Sequence, residues 1–118
     1  MPLPNRTLRI LTIDQGHTVR IGLNGELDRA TLVALAREPL DCDRGNANVV
    51  VIDLAALGFL DAAAFRMLLD FGRRLRARGR HLSLVNPSPQ VRRILEVSAM
   101  VHAADVLDEW LEEPAGNR

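Results

Sequence analysis

Three aspartates close short apolar runs in this chain: Asp28 after Ile21–Leu27, Asp53 after Val49–Ile52 and Asp61 after Phe59-Leu60. A carboxylate at a strand end is where α/β proteins place phosphoryl-accepting or ligand-binding groups. A phosphorylated aspartate at Asp53 would need an acidic pair at the end of the first strand and a later lysine. The chain offers Asp14-Gln15 and has no Lys at all, since every one of its 15 basic residues is Arg. Asp41 and Asp43 open like a calcium loop, yet Arg44-Gly45 follow and Ile52 stands where the bidentate Glu belongs. His17, His81 and His102 lack a second ligand at metal spacing. Cys42, the single cysteine, sits between two aspartates that disfavour its thiolate. With Tyr also missing, Schiff-base, Walker-lysine and tyrosine acid/base chemistry are excluded. No catalytic constellation, metal site or cofactor site is expected.

The densest charge run is Arg73, Arg74, Arg76, Arg78 and Arg80. Arginine near a helix C-terminus complements the dipole and solvates an outer face. The 15 basic and 15 acidic residues cancel, and aromatic residues make up 3% of the chain. Neither a global field nor a stacking platform for nucleic acid follows, so no nucleic-acid partner is expected.

The elements that position these residues are legible in the hydrophobic pattern. Apolar residues at 8, 10, 11 and 13, then at 19, 21, 23 and 27, flank Gln15-Gly16 and predict an antiparallel hairpin. Asp28 is a candidate N-cap for a short first helix through Leu32, Leu35 and Ala36, ended by Pro39, with a polar loop at 41–48. The β-branched run Val49–Leu54 predicts a strand buried on both faces, which requires helices packed on a partly parallel sheet. Gly58-Phe59-Leu60 reads as a loop, and Phe65, Leu68, Leu69, Gly72 and Leu75 give a second helix over 62–78 with Gly79 at its C-terminal cap. Leu82–Val85 predicts a strand closed by Asn86-Pro87. A third helix begins near Ser88 or Pro89, and residues from Val101 to Leu111 read as a short strand and a fourth helix.

The fold class is therefore α/β: a mixed, mostly parallel sheet of four to five strands flanked by about four helices with right-handed crossovers. A length of 118 residues suits one domain, with its core over 8–111. The lone cysteine fits a reducing compartment. The first ten residues lack the apolar run of a signal sequence, and no stretch approaches the ~18 apolar residues of a membrane span. A cytoplasmic protein without membrane insertion is expected.

Four pieces in order resemble the STAS domain of anti-sigma factor antagonists. Leu23-Asn24-Gly25-Glu26-Leu27-Asp28 is similar to that family's "GELD" strand end, and Val49–Leu54 with Phe59-Leu60-Asp61 to its central strand and the approach to its "DSSG" site. Arg73–Gly79 and Asn86–Leu95 resemble the end of its second helix and the start of its third. The resemblance spans about Leu8 to Leu111. It implies a binding module whose unmodified form sequesters an anti-sigma factor, often a serine kinase, and whose phosphorylation on the first Ser of "DSSG" ends that binding. A phosphate adds roughly −1.5 to −2 charges at a surface the partner must pack against.

Position by position, Asp61 matches the family Asp, Ala62 the phosphoacceptor Ser, Ala63 the second hydroxyl residue and Ala64 the Gly. No Ser, Thr, Tyr or His lies between Val49 and Arg80, and of the hydroxyls elsewhere Ser88 is the loop candidate, with helix capping as its simpler role. The expectation is a non-enzymatic, phosphorylation-independent regulatory module. Its partner face would comprise Asn24, Asp28, Gly58, Phe59, Asp61, Ala62, Ala63, Ala64 and Phe65, and its partner would resemble an anti-sigma factor of the serine-kinase type. The alternatives are a STAS-like subunit of a transporter or lipid-trafficking complex, and a kinase substrate modified at Ser88. Homodimerisation through Phe59, Leu60 and Phe65 is a further expectation wherever those side chains are exposed.

Overall fold

The computed structural model describes residues 8–37 and 47–101. In chain order these form β1 (Leu8–Asp14), β2 (Thr18–Leu27), α1 (Leu32–Arg37), β3 (Val49–Leu60), α2 (Ala62–Ala77), β4 (His81–Val85) and α3 (Pro89–Val101). The sheet order is β1-β2-β3-β4. β1 and β2 pair antiparallel, as the hairpin pattern predicts, and β3 pairs parallel with both β2 and β4. The hairpin turn is closed by Asp14, whose Oδ1 accepts the Gly16 N–H at 2.9 Å, while the Gln15 N–H donates to the Thr18 carbonyl at 2.8 Å. The parallel pairs need crossovers, supplied by the segments that contain α1 and α2.

Register decides what the sheet buries. Ile21, Ile52 and Leu84 lie side by side across β2, β3 and β4, and Val19, Val50 and Leu82 form the next row. The first row is no more than 1% exposed. Phe65, Leu68, Phe71 and Leu75 of α2, with Val91 and Leu95 of α3, join these rows in one apolar cluster. Each such side chain contributes about 1.5–3 kcal/mol by leaving water.

α2 ends in a hydrogen-bonded reversal: the Gly79 N–H donates to the Arg76 carbonyl and the Arg80 N–H to the Leu75 carbonyl. Gly79 has φ +73°, the left-handed conformation that this motif requires.

Two boundaries differ from the sequence expectation. β3 does not stop at Leu54 but runs to Leu60, so Gly58-Phe59-Leu60 is strand and Asp53 lies inside it. The cause is a pair of register shifts against β2, between Gly22 and Asn24 and between Gly25 and Glu26. They change the burial period from two (Val50, Ile52, Leu54) to three (Leu54, Leu57, Leu60), a spacing that does not read as a strand. α3 continues to Val101, because Val91, Leu95 and Ala99 keep one helical stripe buried. Val101 therefore ends a helix and does not open a strand. The sheet has four strands and the domain three helices among the described residues. The expected fourth helix and fifth strand, with Cys42, Asp41, Asp43 and His102, fall outside them.

Candidate partner-binding site

The parallel register pairs Leu27 with Leu60, so the next residues, Asp28 and Asp61, emerge together where β2 and β3 end. The Asp61 N–H continues the ladder by donating to the Leu27 carbonyl at 3.1 Å. Its carboxylate joins two elements. Oδ1 accepts the Ala64 N–H at 2.9 Å and caps α2, while Oδ2 accepts the Arg29 N–H at 3.1 Å and holds the turn before α1. A helix leaves its first amides without partners, and an aspartate cap satisfies one of them while complementing the dipole.

Asp28 is 5% exposed and works inward. Its Oδ1 accepts the N–H groups of Ala30 and Thr31, both at 3.0 Å, and its own N–H donates to Thr31 Oγ1 at 2.9 Å. Thr31 Oγ1 in turn donates to the Glu26 carbonyl at 2.7 Å. This reciprocal Asp-x-x-Thr arrangement is a capping box. Thr31 was not among the sequence candidates, although its spacing from Asp28 carries the signal. The bond from Arg29 to Asp61 has no such signal, because it joins residues 32 apart in the chain.

The nine candidate residues divide by exposure. Asn24, Gly58, Phe59 and Ala62 are exposed, Asp61 and Ala63 are half-buried, and Asp28, Ala64 and Phe65 are buried. Of the apolar trio considered for self-association, Leu60 and Phe65 are core residues at 1% exposure, which leaves Phe59 at 38%.

Asn24 lies toward the middle of β2, opposite Ala56, on the wall of a shallow cleft of about 300 Å³ that also involves Arg9, Leu11, Asp53 and Ala55. Asp53 is tied there by Arg20 at 2.9 Å, by the Ala55 N–H at 3.0 Å and by Asn86 Nδ2 at 3.3 Å. Burial alone would raise its pKa. The Ala55 amide, Arg20 and Asn86 together outweigh burial and hold it below the usual carboxylate value. Asn86 itself adopts φ +60°, a left-handed conformation that asparagine tolerates.

Ser88 Oγ accepts the Val91 N–H at 3.1 Å, so it caps α3. Among the described residues no cluster of three or more His, Cys, Asp or Glu could hold a metal ion, and no helix is long and apolar enough to cross a membrane.

A mixed four-stranded sheet, with helices in its parallel connections and aspartate caps at the ends of two neighbouring strands, defines an α/β domain of the STAS fold. A family model described as "Mlab, STAS domain" matches residues 11–108, and the chain belongs to that family. Among solved structures, the anti-sigma factor antagonist SpoIIAA in its unphosphorylated form has a TM-score of 0.71 at 24% identity, over 89% of this chain and 85% of that one. An anti-sigma factor antagonist from Mycobacterium paratuberculosis has a TM-score of 0.67 at 23% identity, covering 86% and 89% of the two chains. The same fold recurs within murine solute carrier 26 family member A9, an anion transporter, with a TM-score of 0.64 at 14% identity. There the match covers 84% of this chain and 16% of the transporter. No curated protein sequence matches the chain.

Proposed function

We propose that this protein is a non-enzymatic regulatory module that binds a protein partner through the end of the sheet where β2 and β3 deliver Asp28 and Asp61. The partner is an anti-sigma factor of the serine-kinase type, and binding is not switched by phosphorylation. The observation that carries this reading is Ala62. It is exposed beside the Asp61 cap, where the resembled family carries its phosphorylated Ser, and it has no oxygen to modify. Three successive alanines, Ala62–Ala64, at the helix start also stiffen it, because Ala has the highest helix propensity. A cytoplasmic location and the lack of any cofactor or metal belong to the same reading.

The test is a titration of the native protein and of Ala62→Ser against purified anti-sigma factor kinases with ATP, reading complex formation and phosphate incorporation together. The native protein is expected to bind and take up no phosphate, and the variant to be phosphorylated and released. Failure of the native protein to bind any such kinase overturns the antagonist reading.

A second reading is a STAS subunit of a transporter or lipid-trafficking assembly. It is favoured by the family description and by the recurrence of the fold inside an anion transporter. In that case the same face makes a permanent contact, and the protein copurifies with a membrane complex. Phosphorylation at Ser88 is disfavoured by the hydroxyl's role as the α3 cap.

A further inference from the structure

The cleft on the sheet face turned away from the apolar cluster is not used by the partner reading. Register builds it from two rows. Arg9, Asn24 and Ala56 lie side by side across β1, β2 and β3, and Leu11, Gly22 and Asp53 form the neighbouring row. Between the rows β2 has Leu23, whereas β3 has Leu54 and the extra residue Ala55. Leu23 and Leu54 enter the core, so small residues line the outer face and leave about 300 Å³ open. Gly22 is its floor. The Gly22 backbone lies outside the left-handed region, and a Cβ there would meet nothing nearer than the Leu11 carbonyl oxygen, at 3.9 Å. The bulged residue is on β3, so neither conformation, crowding nor the register shift calls for a glycine, which weakens a strand interior. What the glycine provides is the space. The polar groups around that space divide into spent and free. Asp53 Oδ1 accepts the Ala55 N–H and Asn86, and its Oδ2 accepts Arg20, whose charge offsets its own. Arg9 and Asn24 are exposed, and among the described residues neither side chain has a hydrogen-bond or ion-pair partner. The charge left over in the cleft is the positive charge of Arg9, and Leu11 beside it is 65% exposed.

We infer that this cleft binds a small amphipathic anion, its carboxylate or phosphate head on Arg9 and Asn24 and its apolar body over Gly22, between Leu11 and Ala55. A guanidinium donates two parallel N–H bonds to such a head, and the Asn24 amide offers a further donor. A concave site with apolar walls and a few placed polar groups is the usual form of a small-ligand pocket, and this volume lies at the small end of that range. The cleft lies apart from the sheet end that carries Asp28 and Asp61, and either site can hold without the other.

The experiment is an amide NMR titration of the full chain with hexanoate, hexyl phosphate, hexanol and inorganic phosphate. In the native protein the amides of Gly22, Asn24 and Ala55 are expected to shift saturably at about millimolar hexanoate or hexyl phosphate, and the tighter of the two identifies the head group. Arg9→Gln should weaken that binding about tenfold or more, whereas Arg93→Gln, an exposed control on α3, should leave it unchanged. Gly22→Val fills the cleft and should abolish binding while keeping the native urea midpoint. If that variant does not fold, Ala55→Leu fills the same space from β3. Hexanol binding as tightly as hexanoate, or an unaffected Arg9→Gln, overturns the anionic head. Inorganic phosphate binding as tightly as hexyl phosphate overturns the apolar body. Absence of any saturable shift, or binding that survives in a folded cleft-filling variant, overturns the site.

Discussion

The two halves of β3 solve different problems with one strand. From Val49 to Asp53 it lies between β2 and β4 in unbroken register, and alternate residues enter the core. From Leu54 to Leu60 β2 is its one strand partner among the described residues, and two register shifts give β3 two more residues than β2 spends on the same ladder. One residue is added at each shift, and the core-facing residues are now separated by exposed pairs: Ala55 and Ala56 between Leu54 and Leu57, and Gly58 and Phe59 between Leu57 and Leu60. An even ladder locks the core, whereas bulges re-aim side chains at a sheet's functional rim. Phe59 reaches the surface beside Asp61 only because of the second shift. The structure therefore separates stability from recognition along a single strand, and each half can be broken without the other.

The even half should give the largest effect on stability. Ile52 is fully buried between Ile21 and Leu84, and Ile52→Ala leaves a cavity in a layer that cannot collapse. A loss of about 2–5 kcal/mol is expected, read as a fall in the urea midpoint. A loss under about 1 kcal/mol would mean that the flat half is not the anchor described here.

Next comes a break in the bulged half. Gly25 has φ +126° at the second register shift, a conformation that side-chain-bearing residues rarely adopt. Gly25→Ala should cost about 1–3 kcal/mol through backbone strain. Because the strain falls at the step that presents Phe59, partner binding should weaken beyond what the stability loss predicts. Equal losses in folding and binding would refute the separation of the two halves.

This contrast also explains what the sequence could and could not disclose. The hairpin, the helix carrying Phe65 to Leu75 and the run Val49–Leu54 obey periods of 2 or 3.6, and periodicity is the signal that burial leaves. Asp28 and Ser88 are legible as caps because a cap is a local device, fixed within three residues of the amide it serves. Gly58–Leu60 reads as loop in the sequence because each bulge resets the period, and nothing local marks a bulge except a glycine. The tie between the two caps is hidden for a different reason: the Arg29 N–H that Asp61 accepts lies 32 residues away in the chain, and no local pattern announces it.

At the junction of the halves, Asp53 gives a smaller, pH-dependent effect. Its folded pKa is depressed, so its contribution is present above the ordinary value of 3.8 and is lost as pH falls through the folded value. Asp53→Asn keeps an acceptor for the Ala55 N–H and removes only the charge facing Arg20. The Arg20 side chain is 39% exposed, and solvent screening holds the effect below about 1 kcal/mol. The variant should be slightly less stable than the native protein near neutral pH, and the difference should vanish in acid. A difference that persisted at low pH would assign the role to packing and not to charge.

The smallest change in stability belongs to the residue with the largest expected role in recognition. Phe59 follows the second bulge, is 38% exposed and lies outside the continuous apolar cluster that contains Leu57 and Leu60. Removing its ring takes away area that is already partly hydrated, and leaves the Glu26–Phe59 backbone register available. Phe59→Ala should therefore stay within about 0.5 kcal/mol of the native protein in urea unfolding, as surface substitutions usually do. In the kinase titration it should fall among the most damaging single changes, because a desolvated aromatic anchor carries more binding energy than the polar contacts around it. A large urea shift would make Phe59 a core residue and return the bulged half to structural service. An unchanged urea midpoint with unchanged binding would leave the second bulge with nothing to present, and the comparison between the halves would reduce to geometry.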